Sequence, residues 1–211
     1  MDLLEQQLRS YYEEEARQRL RPSKGDRRRL ACERFAQRLS DERRSSVLDV
    51  GAGPASDHGP FVLHGIRYVG IDLAVGNASI GAELGQTIVP ASLFNLPFAD
   101  GSFAAGWSMS TFQHVPDDQI DGALVEFARV LQPGSPVTIG MWGGRDEVID
   151  STSSRTGVQL PRRFVLRNHQ RIRALLREHL DVEFEETFQS GPSDWEYHLA
   201  LGRTSMRSVT G

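Results

Sequence analysis

An apolar run, Ser46-Val-Leu-Asp-Val50, enters a glycine turn, Gly51-Ala-Gly-Pro-Ala-Ser56. A short apolar segment that ends in glycines reads as a buried parallel strand. The two glycines let the backbone take positive φ and pass close to a ligand, and a helix after the turn offers free N–H groups and a partial positive charge. Two carboxylates sharpen the pattern. Asp49 stands two residues before Gly51, at the strand's carboxyl end, and Asp72 stands 21 residues beyond Gly51, where an acid commonly holds a ribose hydroxyl.

On either side of this turn the chain alternates. Arg67-Tyr-Val-Gly-Ile-Asp72 repeats the strand pattern, followed by Thr87–Ala91, Phe103–Met109 and Val137–Trp142. Helical stretches lie between, the clearest being Gln119–Leu131, stopped by Gln132-Pro-Gly134. Strands alternating with helices predict an α/β sheet with right-handed crossovers. Towards the end, Asn168–Leu180 reads as a helix, and Val182–Phe188 with Trp195–Gly202 as an antiparallel hairpin joined by Gln189–Asp194. The total is seven strands in a mostly parallel sheet with a C-terminal antiparallel hairpin and helices on both faces. Before the sheet, residues 2–20 carry Leu3, Leu4, Leu8, Tyr11 and Tyr12 at helical spacing. The 21–25 stretch breaks the pattern, and a second helix over Asp26–Leu39 is expected to turn Leu30, Phe35 and Leu39 inward. The predicted organisation is a helical cap over 1–45, a main domain over 46–203 and a frayed tail over 204–211.

Composition bounds the function. At 211 residues, 39% hydrophobic and 25% charged, the chain supports one folded domain and is not a disordered segment. No apolar run reaches the roughly 18 residues of a membrane span. The opening MDLLEQQLRS lacks the pattern of a signal peptide, and the lone Cys32 excludes an internal disulfide, so a cytoplasmic location is expected. The net charge of −4 argues against nucleic acid as a partner. Residues 47–144 hold nine acids against Arg67 and Arg129 alone, which suits a cationic small molecule better than a polyanion.

That charge pattern discriminates between ligands. A dinucleotide would lay its pyrophosphate over the turn beside Asp49, and the third glycine of the dinucleotide fingerprint is replaced by Ser56. S-adenosylmethionine fits better, with an ammonium, a sulfonium, a ribose for Asp72 and no phosphate.

VLDVGAGPA (47–55), YVGIDLA (68–74), NLPFADGSF (95–103) and FARVLQPGSPVTIGMW (127–142) together resemble the motifs of class I S-adenosylmethionine-dependent methyltransferases of the small methyltransferase-domain type, in order and spacing over about half the chain. The resemblance implies a Rossmann-like sheet under an N-terminal helical lid. It implies a cofactor cradle in which Gly51, Ala52 and Gly53 follow the amino-acid moiety, Asp49 lies near its ammonium, Asp72 holds the ribose, Leu73 packs on the adenine, Leu93 presents backbone to the adenine edge, and Ser108, Met109 and Ser110 lie beneath the sulfonium. Three positions depart from the pattern. Ser92 stands where the family carries an acid that meets the adenine amino group. Ala55 replaces a glycine, which is tolerable if the backbone there is helical. Ala104 stands in the place of an aspartate.

Methyl transfer needs alignment and desolvation more than a protein nucleophile. No nucleophile or metal cluster is read from the sequence, and none of the six histidines has ligand spacing. His114, just past the fourth strand, is the candidate general base. Tyr11 is a candidate for reaching cofactor or acceptor, with Tyr12 beside it. Trp142 is a candidate for the acceptor side, and Arg162, Arg163 and Arg167 form a solvated basic turn or an anion contact. The expected activity is methylation of O or N on a small molecule by a monomer or homodimer. An RNA-modifying enzyme, suggested by the arginines at 27–29 and 43–44, and a non-catalytic cofactor-binding module stay open as alternatives.

Overall fold

The computed structural model describes residues 3–18, 25–152, 157–189 and 195–205. Two helices come first, α1 (Leu3–Arg17) and α2 (Asp26–Asp41). In α2 the buried stripe is Cys32, Phe35, Ala36 and Leu39, spaced as one helical face. Leu30 lies off that stripe and is exposed, contrary to its expected inward placement.

The strand β1 (Ser46–Val50) is buried at every position, as expected of a strand covered on both faces. It pairs in parallel with β2 (Arg67–Asp72), with Val47 opposite Tyr68 and Asp49 opposite Gly70. The next strand, β3 (Thr87–Pro90), pairs in parallel with β2. The short α3 (His58–Leu63) follows β1, and α4 (Val75–Glu83) follows β2. A Cβ at Gly70 would stand 2.5 Å from the Ala52 side chain, so the bare backbone there is what lets the turn lie on the sheet.

Further along, β4 (Gly106–Met109) pairs in parallel with β5 (Pro136–Gly143), and α5 (Ile120–Arg129) connects them. This strand starts three residues later than the sequence pattern suggested. Phe103 forms only an isolated bridge to Leu131, with its N–H donating to the Val130 carbonyl at 3.0 Å, so it is tied to the end of α5 rather than to the ladder. The helix α6 (His169–His179) is capped by Asn168, whose Oδ1 accepts from Arg171 N at 2.9 Å. Two long strands finish the fold, β8 (Leu180–Gln189) and β9 (Glu196–Thr204), antiparallel to each other, with β9 antiparallel to β5. Thr204, expected at the start of a frayed tail, is the last residue of β9; residues 206–211 lie outside the described residues.

The seven strands form one sheet in the order β3-β2-β1-β4-β5-β9-β8. A separate two-stranded sheet, β6 (Glu147–Ser151) with β7 (Arg162–Leu166), has no counterpart in the sequence reading. Every residue of β6 is exposed or half-buried, so it lacks the apolar alternation by which a strand is recognised. The chain divides into two compact units, Met1–Leu93 with Asp150–Arg163, and Phe94–Ile149 with Phe164–Gly211. No helix among the described residues is long and apolar enough to cross a membrane.

Candidate functional site

In the first unit the turn after β1 is held by its neighbour strand. Gly51 N and Ala52 N both donate to the Ile71 carbonyl, at 3.0 and 2.9 Å. Gly51 and Gly53 have φ of 75° and 54°, the left-handed region that favours glycine. Ala55 also lies there, at 57°. The right-handed helical backbone that would make Ala55 tolerable is therefore absent, and its Cβ is held where an L-residue is strained by about 1–2 kcal/mol.

Asp72, at the end of β2, is buried and closely partnered. Its Oδ2 accepts from Gly53 N at 2.8 Å, while its Oδ1 accepts from Ala74 N at 2.9 Å and Asn77 Nδ2 at 3.1 Å. Burial pushes its carboxyl above the ordinary value, against these three donors, which favour the charged form. A carboxylate has about four acceptor positions, so three bonds leave room for one more donor. Asp49 is buried within the strand layer, where its Oδ2 accepts from the Tyr68 hydroxyl at 2.6 Å. Burial and the Asp49 charge raise that phenol well above its usual range, so it stays a donor. Leu73 and Leu93 are half-buried.

The leading helix α1 reaches the same segments. Glu13 accepts from Gly76 N at 3.0 and 3.2 Å, placing a carboxylate at the N-terminus of α4, where the helix dipole favours negative charge. A Cβ at Gly76 would meet Ala16 at 2.9 Å, which explains the close approach of the two helices. Ser92 donates its hydroxyl to Glu5 Oε1. Tyr11 is fully buried, and its hydroxyl has no hydrogen-bond partner among the described residues. The Arg162 guanidinium lies 4.4 Å from the Tyr11 ring centre. Burial pushes the Tyr12 hydroxyl up to about 12, although Arg162 pulls the other way.

In the second unit β4 ends at Ser108 and Met109, both buried. Ser110, with φ of 63°, donates its N–H to the Gly140 carbonyl at 2.7 Å, and its Oγ lies 3.1 Å from the Tyr197 hydroxyl. His114 is buried, with its ring 4.9 Å from that of Phe164. From Phe164 an aromatic row continues through Trp195 and Trp142 to Tyr197, with ring-centre steps of 5.0, 6.0 and 5.2 Å. Gln113 Oε1 accepts from Trp142 N at 2.9 Å and fixes the backbone at that strand end. Arg167 is not part of a solvated turn. It is buried, with Nε 2.8 Å from Asp117 Oδ1 and Nη2 donating to the Val115 carbonyl at 2.7 Å. Arg162 and Arg163 lie in β7, where Arg163 pairs with Asp150.

The sequence reading missed Glu5, Glu13, Gln113, Trp195 and Tyr197. For Glu5 a signal existed, because α1 buries Glu5 on the same face as Leu8, Tyr11 and Ala16. An acid inside an apolar stripe is rarely buried without a partner.

Residues 48–139 match the family described as methyltransferase domain. An uncharacterized methyltransferase of Mycobacterium sp. (strain KMS) is 38% identical over 109 residues, covering 48% of this chain and 42% of the relative. An O-methyltransferase of Aspergillus nomiae is 31% identical over 131 residues, covering 56% of this chain and 57% of the relative. The chain thus spans about half the length of the curated relatives it matches. Among solved structures, the Burkholderia thailandensis 1,6-didemethyltoxoflavin-N1-methyltransferase, crystallised with S-adenosylhomocysteine, has a TM-score of 0.65 at 19% identity and covers 95% of this chain and 88% of its own. The N-methyltransferase NodS of Bradyrhizobium japonicum, also with S-adenosylhomocysteine, has a TM-score of 0.66 at 18% identity and covers 96% and 99%. The fold is the Rossmann-like fold of class I methyltransferases, and residues 48–139 match the methyltransferase-domain family.

Proposed function

We propose that this chain, whose residues 48–139 belong to the methyltransferase-domain family, is an S-adenosylmethionine-dependent methyltransferase acting on an oxygen or nitrogen of a small-molecule acceptor. One observation carries the reading: a two-glycine turn is fastened by Gly53 N to a buried Asp72 that retains one acceptor position. The acceptor set suits the cofactor. Asp49, Asp72, Glu5 and Glu13 make the first unit a place for hydroxyls, an amino group and positive charge, and they disfavour a pyrophosphate.

In this reading Asp72 takes one ribose hydroxyl, and the Gly51–Gly53 backbone follows the amino-acid moiety, with Asp49 contributing field beneath it. Leu73 packs on the purine, Leu93 presents its backbone to the purine edge, and Ser108, Met109 and Ser110 line the sulfonium side. When bound, S-adenosylmethionine supplies a methyl group on a positively charged sulfur. The protein's part is alignment and exclusion of water. His114 takes the proton released by the acceptor, Tyr11 directs its hydroxyl to cofactor or acceptor, and Trp142 offers the acceptor a flat face. The names of the O- and N-methylating relatives support either acceptor atom. Residues 1–45 act as the cap and 46–203 as the cofactor-binding domain.

Calorimetric titration with S-adenosylmethionine, S-adenosylhomocysteine and NADH tests the proposal. Micromolar binding of the first two and none of NADH is expected. Failure to bind either of the first two, or binding of NADH alone, overturns it.

A further inference from the structure

Two histidines meet where α6 packs on the last two strands. His198, on β9, is fully buried, and its Nδ1 lies 3.3 Å from Nδ1 of His169, the first residue of α6. Each ring has a carboxylate at its other nitrogen. His169 Nε2 is 2.7 Å from Glu196 Oε2, whereas His198 Nε2 is 3.4 Å from Glu185 Oε2, too far for a good hydrogen bond. His198 Nε2 is buried and has no hydrogen-bond partner among the described residues. The neighbouring charges are engaged. Arg173 and Arg177 of α6 each hold Glu185 at 2.7 Å, and Asp146, past the end of β5, takes Arg171 at 2.8 Å. Opposite His198 stand Met141 on β5 and Thr187 on β8, which carry no charge. The N-terminus of α6 disfavours a cation at His169, and Glu196 offsets it.

Donor and acceptor chemistry decides where the protons are. An ionised carboxylate only accepts, so His169 Nε2 carries a proton for Glu196. The contact between the two Nδ1 atoms needs one proton, neither none nor two. With both rings neutral, His169 Nδ1 is then the acceptor and His198 Nδ1 the donor, which leaves His198 Nε2 bare. Two acceptors, that nitrogen and Glu185 Oε2, face each other away from water, which is costly. A single further proton repairs this. It enters the Nδ1 contact on His169, while His198 exchanges its Nδ1 proton for one on Nε2 that donates to Glu185. Three protons then satisfy four ring nitrogens and both carboxylates, and the positive charge lies on His169, the half-buried ring. A second added proton would set two N–H groups head to head. Burial, joined by the His169 charge, pushes His198 down to about 4 and opposes that step.

We infer that His169 and His198 form a one-proton, pH-sensitive switch, in which protonation of His169 flips the tautomer of the neutral His198 and closes its bond to Glu185. Proton uptake thereby adds a tie between β9 and β8 beneath α6. Glu196 and His198 flank Tyr197, whose hydroxyl lies 3.1 Å from Ser110 Oγ, so the switch acts on the strand that reaches the end of β4. The two rings titrate as a coupled pair, not as separate groups.

NMR of the ring nitrogens in the full chain, carrying isotope-labelled histidine and titrated from about pH 8 to about pH 5, reads the proton at each position. At the alkaline end His198 is expected to show Nδ1–H with Nε2 bare. As His169 takes up its second proton, the bare-nitrogen signal of His198 is expected to move to Nδ1 at the same midpoint, with His198 still neutral. Glu185→Gln supplies an amide that can donate to Nε2. It is expected to hold His198 as Nδ1–H throughout and to move the His169 midpoint to lower pH. A His198 that keeps one tautomer while His169 titrates, or that becomes charged in the same step, overturns the inference, as does a His169 that stays neutral to the acid end. A folded Glu185→Gln protein that titrates like wild type does the same. If that variant does not fold, the wild-type titration decides by itself.

Discussion

The Gly53 N–H donates to Asp72 Oδ2 at 2.8 Å, joining the turn after β1 to the end of β2 across nineteen positions of sequence. The same carboxylate takes the Ala74 N–H and the Asn77 amide on its other oxygen. Asp72 is therefore both the proposed ribose ligand and the closure of the glycine turn. Asp72→Asn keeps the shape but puts an NH2 against one of these donors. Urea unfolding is expected to show a loss of about 1–3 kcal/mol, and titration with S-adenosylhomocysteine at least a tenfold loss of affinity. A variant that loses stability and keeps affinity would move the ribose elsewhere.

Ala55 and Ala52 are both buried in this turn, but only Ala55 has positive φ, at 57°. Replacing Ala55 by glycine relieves about 1–2 kcal/mol of left-handed strain. Against that stand roughly 0.8 kcal/mol of lost methyl burial and about 0.4–1 kcal/mol of added unfolded-state freedom. Ala55→Gly is thus expected to be within about 0.8 kcal/mol of neutral by the opposing terms just given. Ala52→Gly has no strain to relieve and is expected to cost about 1–2 kcal/mol. Thermal melts of the pair check the contrast.

Arg167 is buried, and desolvation lowers its pKa while Asp117 raises it. It also donates to the Val115 carbonyl, close behind His114. Arg167→Ala leaves that carbonyl without this donor and is expected to cost about 3 kcal/mol in denaturant unfolding. Arg167→Lys recovers little of this, because a single ammonium cannot span the carbonyl and the carboxylate as the guanidinium does.

His198 is fully buried on β9, with His169 Nδ1 3.3 Å from its own Nδ1 and Glu185 Oε2 3.4 Å from its Nε2. Glu185 is itself held by Arg173 and Arg177. Burial, chiefly, pushes the His198 imidazole down to about 4, with His169 adding to the effect. In the unfolded chain the ring takes up a proton near its ordinary value of 6.5, so its contribution is fully present above that pH and is lost as pH falls towards 4. The loss is expected to be on the order of 2 kcal/mol after allowing for solvent screening. His198→Gln is expected to flatten this part of the stability curve measured from pH 7 to 4.

His114 stands at the end of β4's following turn, buried against Phe164. As the proposed base, His114→Gln is expected to lower methyl transfer by about 10²–10⁴-fold with cofactor affinity kept within a factor of two. Single-turnover kinetics beside calorimetry separates this from a packing role, for which the rate would stay within a fewfold of wild type.

The order of strands and helices, the glycine turn and the placement of Asp49 and Asp72 at strand ends were legible in the sequence. Each depends on residues close together along the chain, through apolar periodicity and the conformational freedom of Gly51 and Gly53. The same local logic failed where the signal was weak. In β6 no alternation exists to be read, and Leu30 lies just off the buried stripe of α2. Only the tertiary structure decided that Glu5 meets Ser92, that Glu13 caps α4 at Gly76, and that Arg167 is buried rather than solvated. Those partners lie 87, 63 and 50 positions apart. Over such separations a charged side chain's partner is set by how helices pack on the sheet, and no spacing rule along the chain records that packing.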